Sequence, residues 1–202
     1  MSNNVYLTPY FPSLMLKTEM TEFNNIKDEL IRWIIDYQKE NTSIKRSNIG
    51  GWHSVSNIFE VDDFKKYSCL IKKEVDHCLT NVLDDFSFEI SESWININGK
   101  GNFNLTHTHP ESDFSAVLWV LTLGEKSGKL EFENPHTFEQ SRVLTKLKQK
   151  IRKDFNCDKS HWFVPNDGVL LIFPSNLRHM VFPNTTDTSR ISISFNINIK
   201  DK

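Results

Sequence analysis

Two histidines two positions apart are the residues of this chain best suited to chemistry. They lie in the segment Asn104-Leu105-Thr106-His107-Thr108-His109-Pro110. Side chains two apart on an extended strand point to the same face, so His107 and His109 can offer two imidazoles to one metal ion. A third imidazole from His179, brought back by the fold, would complete a facial set of three ligands. Such a set leaves coordination positions free for a small molecule and dioxygen.

An arginine and a serine follow the third histidine. Arg190 stands eleven positions after His179, and Ser192 is two residues further on. A guanidinium grips a carboxylate in a fork, and a hydroxyl on the same face adds a second donor. Taken singly, the histidine pair could be an exposed strand end, and Arg190 could be half of a surface ion pair. The ordered set of residues favours a binding site instead.

Alternating patterns indicate the strands that must position these residues. From Phe86 onward the helical period gives way to strands and turns. Alternation predicts that Phe103, Leu105, His107 and His109 share one face of a strand. The final strand, from Arg190, is the most regular: it has an apolar face (Ile191, Ile193, Phe195, Ile197, Ile199) and a polar face (Arg190, Ser192, Ser194, Asn196, Asn198). Such a polar face meets either solvent or, in a small barrel, a ligand cavity.

The first 85 residues have a different pattern. Apolar residues with two prolines over 5–16 predict an edge strand or an extended entry segment. Helical spacing predicts one amphipathic helix from Thr21 to about Tyr37 and a second from Phe64 to Val82. The paired glycines within 47–54 predict a packed turn, with a substrate-facing loop as the alternative. Residues 136–155 return to helical spacing, and their basic side chains are interpreted as a solvated face.

Composition limits the class of protein. With 202 residues, 38% of them hydrophobic and 25% charged, we expect a single domain spanning 1–202. A net charge of -2 and a pI near 6.4 argue against a nucleic-acid partner, which requires a basic face. No signal peptide and no apolar run long enough to span a bilayer are present, and the three cysteines lack disulfide-framework or zinc-finger spacing. The expected location is the cytoplasm, without a membrane partner.

Together these motifs resemble the catalytic core of the 2-oxoglutarate/Fe(II)-dependent oxygenases. The resemblance is greatest to a branch with the pattern Trp-x-Asn, Asn-x-x-His-x-His-Pro, a Ser-rich strand, then His and Arg-Ile-Ser-x-Ser-Phe-Asn. Here these are Trp94 to Asn96, Asn104 to Pro110, Ser115 to Val120, His179 and Arg190 to Asn196. The resemblance covers roughly residues 86–199 and implies a double-stranded β-helix, or jelly roll. The expected class is therefore mainly β with flanking helices: a strand and helices over 1–85 packed on a core over 86–199, with a helical insertion at about 136–155.

The first ligand motif departs from that superfamily. The usual sequence is His-x-Asp or His-x-Glu, whereas His109 stands where the carboxylate is expected. This implies a neutral site of three imidazoles, His107, His109 and His179. A rival alignment takes His109-Pro110-Glu111 as His-x-Glu. In that alignment His107 lies next to the ligands and does not itself bind the metal. We favour three histidines, because Pro110 between two ligands would bend the strand where both must converge.

The resemblance also implies the cofactors and the reaction. Fe(II) would be held by the imidazoles, and 2-oxoglutarate would chelate it while Arg190 and Ser192 hold the distal carboxylate. Asn96 and Trp119 are expected to line the pocket. The implied reaction uses O2 to convert 2-oxoglutarate into succinate and CO2 while hydroxylating an unactivated C–H bond. The expected partner is a small-molecule or peptide substrate, and a homodimer is compatible with the sequence.

Two other functions fit the same residues. One is a dioxygenase with three histidines that uses no 2-oxoglutarate, and the other is a non-catalytic β-helix module that binds a metal or a small molecule. Arg190 and Ser192 argue against both, because neither alternative needs a grip on a second carboxylate.

Overall fold

The computed structural model describes residues 13–136 and 146–201. Its helices are α1 (Phe23–Glu40), α2 (Lys65–Thr80) and α3 (Gln149–Asp154). Its strands are β1 (Leu16–Glu19), β2 (Asn48–Ile49), β3 (Trp52–His53), β4 (Phe86–Asn98), β5 (Phe103–His107), β6 (Phe114–Leu121), β7 (Leu130–Glu133), β8 (Ser160–Phe163), β9 (Val169–Pro174), β10 (His179–Val181) and β11 (Arg190–Asp201). Short 3₁₀ turns connect some of these elements.

The strands form two antiparallel sheets. The larger sheet has six strands in the order β1-β9-β6-β11-β4-β3, and the smaller has five in the order β2-β5-β10-β7-β8. Neighbouring strands are distant in sequence, as in a jelly roll, where strands alternate between sheets. The expected mainly β fold with flanking helices is confirmed, although the two sheets do not close into a barrel.

The final strand separates the hydrophobic core from the polar interior. β11 pairs with β4 over its whole length and with β6 on the other side. Its isoleucines and Phe195 pack into the main core with the buried faces of α1 and α2. Because side chains alternate along a strand, Arg190, Ser192 and Ser194 face the opposite way, toward the space between the sheets. Arg190, Ser192 and Ser194 of the polar face therefore line a cavity rather than meeting solvent.

The predicted helices of the N-terminal half are both present. α1 buries Phe23, Leu30 and Ile34, and α2 buries a stripe from Tyr67 to Leu79. The segment predicted as an edge strand lies mostly outside the described residues. The edge strand that is described, β1, begins at Leu16, the last residue of that segment, and pairs with β9.

The glycine-rich turn joins the two sheets. β2 pairs with β5 of the smaller sheet, whereas β3 pairs with β4 of the larger one. Gly50 and Gly51 between them have φ angles of 66° and 68°. A Cβ at Gly51 would lie 2.6 Å from Asn98 Oδ1 and 2.9 Å from the Ile97 carbonyl, so only glycine fits this close approach.

The segment 136–155 is described in part. Residues 137–145 lie outside the described residues, and the helix found in the remainder is α3. In the described ranges, no helix is both long and apolar enough to cross a membrane.

Candidate active site

Three histidines meet at one end of the space between the sheets. Each can place a ring nitrogen within 4.8 Å of the other two. The pairing of β5 with β10 sets His107 directly opposite His179. His109 lies two residues beyond the end of β5, where its backbone N–H donates to the Ser175 carbonyl at 2.9 Å. The structure thus brings together the three imidazoles that the sequence predicted as one ligand set.

Backbone carbonyls orient two of the three rings. His107 Nδ1 lies 2.6 Å from the Leu105 carbonyl, and His179 Nδ1 lies 2.8 Å from the Leu177 carbonyl. A carbonyl can only accept, so each Nδ1 carries the hydrogen and each Nε2 keeps its lone pair. This is the arrangement that metal-ligating histidines use, with one nitrogen anchored and the other free for the ion.

Burial keeps the rings neutral. Burial, with a smaller contribution from the neighbouring His107 ring, lowers the pKa of His179 to about 3 and the pKa of His109 to about 4. The pKa of His107 is also lowered by burial, partly offset by its bond to the Leu105 carbonyl. A neutral imidazole is the form that binds a metal ion, so the donor set suits a divalent cation near neutral pH.

The same pKa shifts predict a pH dependence for the metal-free protein. Unfolded histidines titrate near 6.5, so below that pH the unfolded chain takes up protons that folded His109 and His179 refuse. We therefore expect the free energy of unfolding to fall as pH drops from about 6.5 toward about 4, by up to ~1.4 kcal/mol per pH unit for each histidine. Urea titrations in EDTA measure this slope. His179→Gln should reduce it, and exposed His77→Gln should not.

Glu111 does not join this group. Its side chain is exposed, and it neither lines the cavity nor belongs to a set of metal-ligand atoms among the described residues. The geometry therefore favours the three-imidazole alternative over the rival His-x-Glu alignment.

A chain of polar side chains leads from β4 to His107. Asn98 Nδ2 donates to Asn104 Oδ1 at 3.1 Å, and Asn104 Nδ2 donates to Ser47 Oγ at 3.2 Å. Ser47 Oγ in turn lies 3.5 Å from His107 Nε2. Because Ser47 already accepts from Asn104, its own hydrogen is free to donate toward His107 or toward a group bound there.

Arg190 is buried in the same cavity. It is 3% exposed, and its Nη1 donates to the carbonyls of Ser127 at 2.6 Å, Gly128 at 3.2 Å and Phe182 at 3.4 Å. Among residues 13–136 and 146–201 it has no acidic partner within ion-pair distance. Burial lowers its pKa to about 10, which still leaves it charged at neutral pH. A buried guanidinium without a counter-ion is costly, so the cavity is suited to an anion here.

Gly128 makes room for Arg190. Its φ is +91°, and a Cβ there would clash with the Phe182 carbonyl and lie 2.7 Å from Arg190 Nη1. We expect Gly128→Ala to destabilise the fold by about 2 kcal/mol more than Gly124→Ala, because Gly124 also has positive φ but faces open space. Urea denaturation of the two variants measures the difference. Equal losses of stability would show that glycine is required at position 128 only because of its positive φ, and not because of the space that Arg190 occupies.

The other predicted pocket residues line the cavity beside Arg190. The antiparallel register places Ser192 between Asn96 on β4 and Trp119 on β6. Asn96 and Ser192 both line the cavity, and in the described part of the chain the buried Asn96 Oδ1 has no hydrogen-bond partner, so these side chains are available to a ligand. The buried Trp119 ring forms part of an apolar wall with Val117, Leu171 and Phe173. The cavity has a volume of about 510 Å³, within the range of small-molecule sites.

Further residues line the cavity that the sequence did not single out for this role. Arg46, Ser47 and His53 come from the segment around the glycine turn, and Glu92 and Trp94 come from β4. The turn is packed, as predicted, and its flanks also face the cavity. Trp94 shares a strand face with Asn96, so alternation could have identified it; no pattern in the sequence marks Arg46 or Glu92.

Comparison with known proteins gives a family and a fold. Residues 92–196 match the protein family described as "Putative 2OG-Fe(II) oxygenase". A search of curated proteins found no match. Three solved structures illustrate the fold at low sequence identity.

The first is a prolyl-4-hydroxylase from Pseudomonas putida, 16% identical with a TM-score of 0.57, where the alignment covers 90% of this chain and 91% of that one. The second is HygX from Streptomyces hygroscopicus with nickel and 2-oxoglutarate bound, 7% identical with a TM-score of 0.64, covering 91% and 82%. The third is a prolyl hydroxylase from Trichoplax adhaerens in complex with a hypoxia inducible factor peptide fragment, 12% identical with a TM-score of 0.63, covering 91% and 83%.

These similarities agree with the jelly-roll sheets and with the three-histidine cluster that the fold encloses. The family match spans β4 to β11, and it includes His107, His109, His179 and Arg190. The chain belongs to the 2OG-Fe(II) oxygenase family, whose cofactor is Fe(II) and whose cosubstrate is 2-oxoglutarate.

Proposed function

We propose that this protein hydroxylates an unactivated C–H bond of an amino acid, a peptide or another small molecule. In this reaction the substrate, 2-oxoglutarate and O2 give the hydroxylated product, succinate and CO2. The observation that carries the proposal is Arg190, a buried cation without an acidic partner among the described residues, which shares one cavity with three neutral imidazoles.

The residues of the metal site have defined tasks in this proposal. His107, His109 and His179 hold Fe(II) through ring nitrogens that burial keeps unprotonated. The carbonyls of Leu105 and Leu177 orient two of these rings. When bound, Fe(II) and 2-oxoglutarate supply the oxidising chemistry, in which O2 is consumed and 2-oxoglutarate loses its 1-carboxylate as CO2.

The cosubstrate end of the cavity is built from β4, β6 and β11. Arg190, Ser192, Asn96 and Trp119 line the same cavity as the three histidines, so one molecule in the cavity can contact both groups. Arg190 and Ser192 would hold the distal carboxylate, with Asn96 as a further donor. Trp119 and Phe173, each 3% exposed, exclude water from this end.

Conversion of 2-oxoglutarate tests the proposal directly. Purified protein with Fe(II), 2-oxoglutarate and O2 should release succinate and consume an equal amount of 2-oxoglutarate. Replacing Fe(II) with Ni(II), or removing O2, should stop succinate release without preventing 2-oxoglutarate binding. Protein that binds iron but never consumes 2-oxoglutarate would instead be a three-histidine dioxygenase of another kind or a binding module.

We also infer a reducing compartment, the cytoplasm, from the cysteines. Cys69, Cys78 and Cys157 are all free thiols, and Cys69 is exposed. A homodimer stays a prediction from the sequence.

A further inference from the structure

The cavity extends past the histidines, away from Arg190. Along the pairing of β4 with β11, Arg190 lies opposite Asn98 and Asn196 lies opposite Glu92. Six residues separate these two levels, which is roughly 20 Å at 3.3 Å per residue. Five side chains line the cavity toward the second level: Arg46, His53, Ser56, Glu92 and Trp94. We call these five residues the outer end of the cavity.

His53 is a hydrogen-bond acceptor at this outer end. It is 5% exposed, and its Nδ1 lies 2.6 Å from the Ser54 carbonyl, so Nδ1 carries the hydrogen and Nε2 has the lone pair. Within the described ranges Nε2 has no partner, although the ring lines the cavity. Burial lowers the pKa of His53, which keeps Nε2 unprotonated. A bound molecule must therefore donate a hydrogen bond to it.

Trp94 connects His53 to the metal site. The two rings stack at a centroid distance of 5.8 Å with an interplanar angle of 7°. Trp94 also contacts the His109 ring at 5.5 Å. Only the Trp94 ring therefore separates His53 from His109, a proposed metal ligand. A molecule that binds His53 can extend past this ring to the reacting centre.

Two opposite charges flank His53. Glu92 accepts a hydrogen bond from Asn196 Nδ2 at 3.2 Å, which fixes one of its oxygens. Neither Glu92 nor Arg46 forms an ion pair with any residue that the structure describes, although both line this one cavity. Both act electrostatically on the His53 ring, Arg46 lowering its pKa and Glu92 raising it. Both are exposed residues that line the cavity beside His53, and an anionic and a cationic group next to one neutral acceptor match a ligand that carries both charges.

We propose that the outer end of the cavity binds a small zwitterion of the α-amino acid type as the substrate. Its ammonium group lies at Glu92 and His53 Nε2, and its carboxylate lies at Arg46. Trp94 directs its side chain toward the three histidines. This inference rests on the proposed function, because it places the reacting C–H bond beside the metal site of that reaction.

Binding of charge-deleted ligands tests this arrangement. The probes are the free L-amino acids, together with their N-acetyl derivatives and their carboxamides, which remove one charge each. Calorimetry uses protein loaded with Ni(II) and 2-oxoglutarate, so that Arg190 is already occupied and no turnover occurs. We expect at least one amino acid to bind, with N-acetylation and amidation each weakening it at least tenfold.

Charge-neutral variants assign each group to its partner. Glu92→Gln should weaken binding of the amino acid at least tenfold. In this variant, N-acetylation should cause no further loss of affinity. Arg46→Gln should also weaken binding of the amino acid at least tenfold, and amidation should then cause no further loss of affinity. His53→Phe, which retains the aromatic stack, should weaken binding several-fold. The matched controls are Glu89→Gln on the same strand and Lys45→Gln next to Arg46, both exposed and outside the cavity; neither should change binding.

The outcomes separate this inference from the proposed function. If the protein binds 2-oxoglutarate but no amino acid, or binds the uncharged derivatives equally well, the zwitterion subsite is wrong and the oxygenase assignment stands. If 2-oxoglutarate does not bind but an amino acid does, and Glu92→Gln and Arg46→Gln weaken it, the subsite stands and the proposed function fails.

Discussion

Replacing Arg190 with glutamine should weaken 2-oxoglutarate binding by about 3 kcal/mol, or roughly 150-fold, and leave metal binding unchanged. The reason is the environment of its guanidinium, which is buried and has no acidic partner among the described residues. Calorimetric titration of Ni(II)-loaded protein with 2-oxoglutarate measures the loss.

Arg190→Lys retains the positive charge but removes the planar, forked geometry of the guanidinium. Nη1 is already bound by three carbonyls, which leaves the rest of the fork for a carboxylate. A lysine ammonium cannot satisfy those carbonyls and reach the carboxylate in the same way, so the loss should be intermediate. Exposed Arg32→Gln on α1 is the matched control. Unchanged affinity in Arg190→Gln would mean that the cosubstrate, if bound, is held elsewhere.

Removing any one of the three imidazoles should lower Fe(II) affinity by at least about 100-fold. Alanine at His107, His109 or His179 leaves two ligands where ring nitrogens now lie within 4.8 Å of one another. Anaerobic Fe(II) titration measures the loss, and succinate release should disappear with it. The fold should persist in each variant, as circular dichroism can verify.

Position 109 allows a sharper comparison. His109→Asp restores the carboxylate that is usual in the superfamily and adds one negative charge against a dication, so it should tighten Fe(II) binding relative to the wild type. Glu111→Gln should change nothing, because Glu111 is exposed and outside the cluster. If Glu111→Gln loses iron while His109→Ala keeps it, the His-x-Glu alignment is the correct one.

Local sequence pattern predicted the elements well where the pattern is unambiguous. The apolar stripes of α1 and α2 and the alternation of β11 depend only on the periods of helix and strand, and each element is found with its apolar face buried. The pairing of His107 with His109 is equally local. The conclusion that Arg190 and Ser192 share a face follows from the same period of two.

A bulge interrupts the alternation on β5. The pattern predicted that Leu105 and His107 share one face; both line the cavity, but Leu105 is 49% exposed whereas Asn104 beside it is 6% exposed. The register between β5 and β10 shifts between His179 and Val181, so Leu105 and Thr106 of β5 lie opposite the single residue Met180 of β10. A bulge of this kind changes which side chains point inward, and strand periodicity cannot reveal it.

The sequence by itself determined the chemical inventory: three imidazoles, a guanidinium and a hydroxyl on strands with one apolar face. Only the tertiary structure decided which of these groups share a cavity, because that depends on pairings between distant strands. The partner of His107 is His179, and the partner of Asn96 is Ser192. The pairings of β2 with β5 and of β3 with β4 bring Arg46 and His53 to the outer end of the cavity with Glu92, where the opposite charges of Arg46 and Glu92 suggest the substrate.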